Sequence, residues 1–194
     1  MDYEFTQDWF SWNQPTWLEL FKQLHGKKQF LEIGCFEGRA TCWLAESVLD
    51  DGGVITSIDT FYGGFEHSAE TMAGVKSRFL KNIKIAKSKR PSVDTVLCEG
   101  SSVTEMSKMI CEGKSYDFVY VDGSHSGPDV LTDAVLAYNL CRVGGLIAFD
   151  DYLWGNFHDL IERPKVAIDC FVNMFAKKVR IINVGHQLWV QKVA

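Results

Sequence analysis

Short apolar runs alternate with segments of helical periodicity along most of this chain, and that alternation limits the folds open to it. The strand-like runs lie at about 29–33, 53–58, 93–98, 116–121 and 145–149. Helical patterns between them favour right-handed crossovers, a parallel sheet and helices on both faces of that sheet. The pattern therefore predicts a doubly wound α/β fold.

The end of the chain departs from this alternation. Two β-rich runs, at about 178–184 and 187–192, flank a turn that contains Gly185 and His186. Runs of this type around a glycine-containing turn predict an antiparallel hairpin. The expected sheet is therefore seven-stranded and mostly parallel, with a C-terminal antiparallel hairpin.

Length and composition favour a single globular domain. The chain has 194 residues, of which 46% are hydrophobic and 23% charged, so it can bury one sizeable core. We expect one domain over 1–194, with an arm and a helix at 1–28 and the α/β core at 29–194. The helix is expected over 15–25, because its apolar residues share one face and Gly26 stops it.

Charge and cysteine usage limit the expected partners and compartment. A net charge of −5 gives no general attraction to nucleic acid or anionic lipid. No apolar run approaches the roughly 20 residues that span a bilayer. The acidic N-terminus lacks the features of a signal peptide. Six scattered cysteines without a Cys-x-x-Cys pair predict reduced core residues, so we expect a cytoplasmic protein with no membrane partner.

A glycine turn follows the first strand, at Gly34 and Gly38. It lacks the further glycines of a dinucleotide fingerprint, but it lets backbone approach a smaller ligand. The second strand ends at Asp59, where a carboxylate can accept both hydroxyls of a ribose. The third ends at Gly100 and Ser101, which can contact an adenine edge. Each glycine by itself could serve only a turn, whereas the ordered set indicates a nucleoside-type cofactor.

Carboxylates follow the next two strands. Asp122 comes after the run at 116–121, and Asp150 and Asp151 come after the run at 145–149. Because parallel strands deliver their carboxyl ends to one edge, these side chains should share a crevice with the cofactor. Hard oxygen ligands favour Mg²⁺ or a similar divalent cation. For Asp150 and Asp151 the alternative is a solvated turn or a helix cap.

These segments resemble the class I S-adenosylmethionine-dependent methyltransferases, from Phe30 through Val190. Within that group the chain is similar to the metal-dependent O-methyltransferases, both the catechol type and the macrocin type that modifies sugars. The resemblance depends on residues 31–38, 120–125 and 143–152. It implies a Rossmann-like fold, S-adenosylmethionine as cofactor and a divalent cation at the site of methyl transfer.

The resemblance also assigns roles to particular residues. It assigns Glu32, Gly34 and Gly38 to the methionine end of the cofactor. It assigns Asp59 to the ribose, and Gly100 and Ser101 to the adenine side. Those that it assigns to the metal are Asp122, Asp150 and Asp151. His125 stands where catechol-type enzymes have a lysine base, and Ser124 where the sugar-modifying branch tends to have an aspartate. His125 is therefore the candidate general base, since an imidazole titrates near ~6.5; orienting Asp122 or the next helix is the alternative role.

The expected substrate is a small hydroxylated molecule, such as a sugar, a polyketide-like compound or a phenol. Aromatic residues outside the strands could form an apolar lid over it: Trp9, Phe10, Trp12, Phe61, Tyr62, Tyr152 and Trp154. His158 is expected on the surface or in a substrate loop. The basic run at 76–90 also carries an apolar stripe, so its charges are expected on the solvated face of an amphipathic helix. Nucleic acid is therefore not the expected partner of these charges.

Two other functions fit parts of the pattern. A nicotinamide-dependent oxidoreductase shares the doubly wound plan, but the missing glycines and the terminal hairpin disfavour it. A non-catalytic adenosylmethionine-binding or scaffolding protein would keep the fold, but the three intact carboxylates argue against it. The sequence leaves the oligomeric state open, including a homo-oligomer.

Overall fold

The computed structural model describes residues 2–64, 67–155, 159 and 163–194. Its strands are β1 (Gln29–Ile33), β2 (Val54–Asp59), β3 (Asp94–Glu99), β4 (Tyr116–Val121), β5 (Cys141–Phe149), β6 (Val179–Val184) and β7 (Leu188–Lys192). They form one sheet in the order β3-β2-β1-β4-β5-β7-β6. Strands β1 to β5 pair in parallel, and β7 is antiparallel to both β5 and β6. The predicted mostly parallel sheet with its C-terminal hairpin is confirmed.

Strand β5 begins four residues earlier than the sequence predicts. Gly144 and Gly145 favour a turn, yet both lie inside β5, where Gly144 has φ +81°. A side chain on Gly145 would lie 2.9 Å from the carbonyl oxygen of Asp117, so only glycine allows this close pairing with β4. The register between the two strands shifts at the same place, between Tyr116 and Phe118. The tertiary pairing therefore overrides the local turn signal.

The helices lie between the strands and before the first of them. They are α1 (Gln14–Phe21), α2 (Arg39–Ser47), α3 (Ala69–Met72), α4 (Val75–Lys89), α5 (Ser102–Cys111), α6 (Gly127–Leu140) and α7 (Pro164–Met174), with a short 3₁₀ turn at Ser11–Asn13 before α1. Helix α1 ends earlier than expected, four residues before position 25. Throughout the described ranges, no helix has the length and apolar character that crossing a bilayer requires.

Helix α5 begins with a different cap from the one expected. The pattern at Ser102 to Glu105 suggests a capping box, but the N-cap is Ser101, whose Oγ accepts a hydrogen bond from the Thr104 backbone N–H (3.3 Å). A side-chain oxygen at this position satisfies one of the free N–H groups of the first turn. Ser101 is therefore held by the helix that follows β3.

Two apolar clusters cover the two faces of the sheet, because successive strand residues point to opposite faces. Leu31 and Val119 belong to the cluster beneath α5, α6 and α7. Phe30 and Phe118, their neighbours in the same strands, belong to the cluster that contains α1 and α2. Trp17 of α1 is 0% exposed there, so the N-terminal helix completes the second core layer.

Candidate active site

A cavity of about 900 Å³ opens at the carboxyl edge of the parallel strands. Nine of the ten residues predicted for the site line it, and the exception is Gly38. The glycine turn after β1 and the carboxylates after β4 and β5 therefore share one space. A ligand site at this edge is typical of open α/β sheets.

The two glycines of the turn have different roles. Gly34 has φ +80°, and a side chain there would lie 2.0 Å from the Asp122 carbonyl oxygen, so the backbones that leave β1 and β4 come very close. Gly38 also has φ +80°, but it lies at the start of α2, packed against the Phe79 ring. Gly38 is not among the residues that line the cavity and provides the backbone conformation that starts α2, while its contact with the cofactor stays a prediction.

Asp59 holds the glycine turn while it lines the cavity. Its Oδ2 accepts hydrogen bonds from the backbone N–H groups of Cys35 (2.8 Å) and Phe36 (2.9 Å), and its Oδ1 accepts one from Phe61 (2.7 Å). The carboxylate thus fixes the turn from the next strand and lies in the cavity wall. The position suits a ligand hydroxyl next to the turn.

Glu32 lies beneath the turn and is 1% exposed. It accepts hydrogen bonds from the hydroxyls of Thr41 and Ser57, which ties β1 to α2 and to β2. Burial raises the pKa of Glu32 to about 7, and those two hydroxyls oppose the rise. Glu32 therefore combines a structural role with its place in the cavity wall. Gly100 lies at the end of β3, beside the Glu105 side chain.

The three predicted metal-binding carboxylates affect one another's ionisation. Burial raises the pKa of Asp122 well above its usual range, and the charges of Asp150 and Asp151 raise it further. Burial and the charge of Asp151 raise the pKa of Asp150 to about 6. Like charges shift each other in this way only when they are near, and all three residues line the same cavity. Their hard oxygen donors fit a divalent cation, which would remove the repulsion.

These carboxylates do not form a finished metal cage. Across the part of the chain that the structure describes, no three His, Cys, Asp or Glu side chains converge as a metal-binding cluster. Asp150 instead accepts hydrogen bonds from the Tyr120 hydroxyl and from the Asp151 backbone N–H (2.8 Å). Asp151 has φ +54°, a left-handed conformation that is costly without glycine. The carboxylate oxygens are of the kind that a divalent cation binds. In this structure hydrogen bonds within the protein hold them in place.

His125 contacts the third of these carboxylates. Its Nε2 lies 2.5 Å from Asp151 Oδ2, and its ring stacks on Trp154 with centroids 4.5 Å apart. The His125 ring is thereby fixed at the wall of the cavity. This arrangement fits a residue that orients Asp151, and the role of general base stays a prediction.

The aromatic residues predicted as a lid separate into two groups. Four of them line the cavity, namely Trp9, Phe10, Trp12 and Trp154. The other three do not: Tyr152 is buried, with its hydroxyl bonded to Asp169 (2.7 Å), while Phe61 packs near Phe79 and Tyr62 is 89% exposed. His158 lies outside the described residues.

Further residues of this site were not found from the sequence. The rings of Phe36 and His67 meet Trp9 at the cavity wall, with centroids 4.9 and 5.8 Å from it. Gln187, just before β7, accepts hydrogen bonds from two buried tryptophans. A single glutamine after a turn carries no local signal of such a role, because its partners are distant in the chain.

A protein-family model described as "Methyltransferase domain" matches residues 31–152. Among curated proteins, the chain is 28% identical over 146 residues to the caffeoyl-CoA O-methyltransferase of Populus kitakamiensis. That alignment covers 73% of this chain and 54% of the relative. The chain therefore spans about half the length of the curated relatives that it matches.

Solved structures share the whole fold. The O-methyltransferase from Bacillus cereus in complex with SAH has a TM-score of 0.67 at 21% identity, covering 96% of this chain and 84% of its own. A putative rRNA methylase from Clostridium thermocellum has a TM-score of 0.69 at 15% identity, covering 97% and 98%. At these identities the likeness establishes the Rossmann-like architecture alone.

Proposed function

The chain belongs to the methyltransferase domain family, and from that premise we propose that it is an S-adenosylmethionine-dependent O-methyltransferase. Its substrate would be a hydroxyl of a small molecule, activated with the help of a divalent cation. One observation carries this proposal: a single cavity joins the Gly34 turn and Asp59 to the carboxylates of Asp122, Asp150 and Asp151. Cofactor and acceptor can thus meet at one edge of the sheet.

The turn end of the cavity suits the cofactor. The close backbone approach at Gly34 leaves that wall without a side chain, and the Asp59 carboxylate at the end of β2 suits a ribose hydroxyl. Gly100 and Ser101 would lie on the adenine side. Holding the sulfonium methyl and the acceptor oxygen in line, away from water, is the main contribution that a protein makes to methyl transfer.

The carboxylate end suits the acceptor hydroxyl. Asp122, Asp150 and Asp151 would hold Mg²⁺ or a similar ion, which when bound lowers the pKa of a hydroxyl and fixes its oxygen. In the reaction the acceptor oxygen bonds to the methyl carbon, the sulfur–carbon bond breaks, and the hydroxyl proton leaves. His125 is close enough to Asp151 either to orient that carboxylate or to receive the proton.

A small acceptor fits the surface better than RNA does. The basic run on α4 is largely neutralised by ion pairs such as Lys76 with Glu99 (2.5 Å) and Lys81 with Glu4 (2.5 Å). Paired lysines on an acidic chain attract a polyanion poorly. The caffeoyl-CoA relative and the aromatic cavity wall favour a phenolic or sugar hydroxyl. We place this activity in the cytoplasm, where unpaired cysteines stay reduced.

Calorimetric titration with S-adenosylhomocysteine tests the cofactor part. The wild-type chain should bind it, and Asp59→Ala should weaken binding on the order of 10-fold or more, because the turn N–H groups and the ribose lose their acceptor. Asp94→Ala is the matched control, since it removes an exposed carboxylate from the neighbouring strand β3. Absence of binding to the wild type would refute the proposal.

Transfer of a labelled methyl group to a panel of catechols, hydroxylated sugars and RNA tests the catalytic part. Transfer to a small hydroxyl compound, lost in Asp150→Asn, is the expected result. Cofactor binding without transfer to any of these acceptors would instead favour the non-catalytic adenosylmethionine-binding alternative. Transfer to RNA alone would overturn the proposed substrate class.

A further inference from the structure

Two buried indoles donate to one amide oxygen beneath the cavity. Trp17 Nε1 donates to Gln187 Oε1 at 2.6 Å, and Trp189 Nε1 donates to the same oxygen at 3.3 Å. Trp17 and Trp189 are both 0% exposed, and Gln187 is 4% exposed. Burying a polar group this deeply lowers the stability of the fold unless the group makes its hydrogen bonds.

The two indoles determine which way the amide faces. An indole N–H can only donate, so the atom that faces both tryptophans must be the oxygen and not the nitrogen of the amide. The Nε2 group therefore points away from them. It is buried, and among the described residues it makes no hydrogen bond of ordinary geometry.

Strand register places Gln187 beside Asp150. Leu188 of β7 pairs with Phe149 of β5 in antiparallel fashion, so the residue before Leu188 lies opposite the residue after Phe149. Because the indoles hold the amide oxygen, the buried Nε2 group is the part of the Gln187 side chain that is free to face this neighbour. The Tyr120 hydroxyl donates to Asp150 from β4. Asp150 thus has a bonded donor on β4, and the buried Gln187 amide lies next to it just before β7.

Helix α1 packs behind both of these donors. The Trp17 ring meets the Tyr120 ring edge-on, with centroids 4.8 Å apart, and meets Trp189 in the same way at 5.0 Å. Trp17 lies outside the family match at residues 31–152. The N-terminal helix therefore reaches the carboxylate end of the cavity through a single buried side chain.

We propose that Trp17 and Gln187 are positioning residues that hold the Asp150 carboxylate in the orientation that a divalent cation requires. This inference rests on the proposed function, since it assumes that Asp150 binds a metal. Trp17 fixes the amide by its short hydrogen bond, and the amide then presents its N–H to Asp150. Outer groups of this kind orient metal ligands, and their loss typically weakens metal binding on the order of 10- to 100-fold.

Calorimetric titration of the full chain with Mn²⁺ tests the proposal. Gln187→Met keeps the length of the side chain but removes donor and acceptor, and it should weaken Mn²⁺ binding on the order of 10-fold or more. Trp17→Phe keeps an aromatic ring without the donor, and should weaken binding in the same direction by less. Gln191→Met is the matched control, because Gln191 lies four residues further along, in β7, and bonds Gly144 and Arg180.

The double variant distinguishes positioning from general destabilisation. If Trp17 acts through Gln187, Trp17→Phe combined with Gln187→Met should bind Mn²⁺ no more weakly than Gln187→Met alone. Affinity for S-adenosylhomocysteine should be unchanged in all variants, whereas general loosening of the fold would lower it. Where Gln187→Met does not fold, Trp17→Phe provides the same measurement.

Three outcomes in the variants overturn the proposal. They are unchanged Mn²⁺ affinity in folded Gln187→Met or Trp17→Phe, additive losses in the double variant, and an equal loss in Gln191→Met. A wild-type chain that binds no Mn²⁺ overturns it too, together with the metal part of the proposed function. Binding of S-adenosylhomocysteine to that same wild type then reports separately on the cofactor part.

Discussion

Asp133 is a buried carboxylate on α6, beside the cavity. Nothing in the sequence around it marks it as buried. It is 2% exposed, and within the described ranges its Oδ1 has no hydrogen-bond partner. Burial raises the pKa of Asp133 from its ordinary value of 3.8 to about 6; the Ser102 side chain opposes the rise and Asp129 adds to it. The charged form is therefore costly in the folded state.

The stability of the chain should consequently depend on pH through Asp133. A raised pKa means that its contribution is fully present below the unfolded value of 3.8 and is lost as the pH rises through about 6. Asp133→Asn removes this dependence. From about pH 4 to about pH 7, the wild type should lose roughly 2 kcal/mol of unfolding free energy relative to Asp133→Asn.

Urea unfolding of both proteins across that pH range provides the measurement. Asp94→Asn serves as control, because it removes an exposed carboxylate on β3 that does not contribute to the pKa shift of Asp133. A difference between wild type and Asp133→Asn that is constant with pH would contradict the prediction.

At the scale of elements, the N-terminal arm is attached to the core by two buried side chains. Asn82 of α4 is 0% exposed, accepts from the Glu4 backbone N–H (2.8 Å), and donates to the carbonyl oxygens of Glu4 (3.0 Å) and Glu37 (2.9 Å). Glu37 accepts from the backbone N–H and the hydroxyl of Thr6 (2.6 and 2.7 Å). The arm that carries Trp9 is thus fixed next to the glycine turn.

Asn82→Ala should release the first part of this arm. The variant loses three hydrogen bonds and leaves buried backbone groups unpaired, so it should lower the free energy of unfolding by about 2 kcal/mol. In hydrogen exchange, the Glu4 amide should lose protection, while the Thr6 amide, held by Glu37, should keep more of it. Asn183→Ala on β6 is the control. An unchanged exchange rate of the Glu4 amide in Asn82→Ala would refute the claim that Asn82 attaches the arm to the core.

At the scale of the whole molecule, the two apolar clusters and the sheet between them support one large cavity at one edge. A ligand that fills it binds the folded chain and not the unfolded one, so it should raise the melting temperature. S-adenosylhomocysteine at about 100 times its dissociation constant should add roughly 2.7 kcal/mol to the free energy of unfolding.

NAD should give no such shift. The turn at Gly34 lacks the glycines that admit a pyrophosphate, and Phe36 and Arg39 stand where they would be. Thermal melting with each ligand is the measurement, and Asp59→Ala should show a reduced shift with S-adenosylhomocysteine. A shift with NAD of equal size would favour the oxidoreductase alternative.

The sequence by itself determined the order of strands and helices along the chain, the terminal hairpin and the edge of the sheet at which the cavity opens. These depend on local patterns: apolar runs mark the strands, and the parallel rule then brings Gly34, Asp59, Asp122 and Asp150 to one edge. Even the need for glycine at position 34 follows once β1 and β4 are neighbours.

Only the tertiary structure decided which groups contact one another at that edge. It placed Gly38 under Phe79 and outside the cavity wall, extended β5 through Gly144 back to Cys141, and set His125 against Asp151. The hydrogen bond between Trp17 and Gln187 joins residues that are 170 positions apart. Such contacts depend on packing and strand register across the whole chain, which local propensity and spacing do not encode.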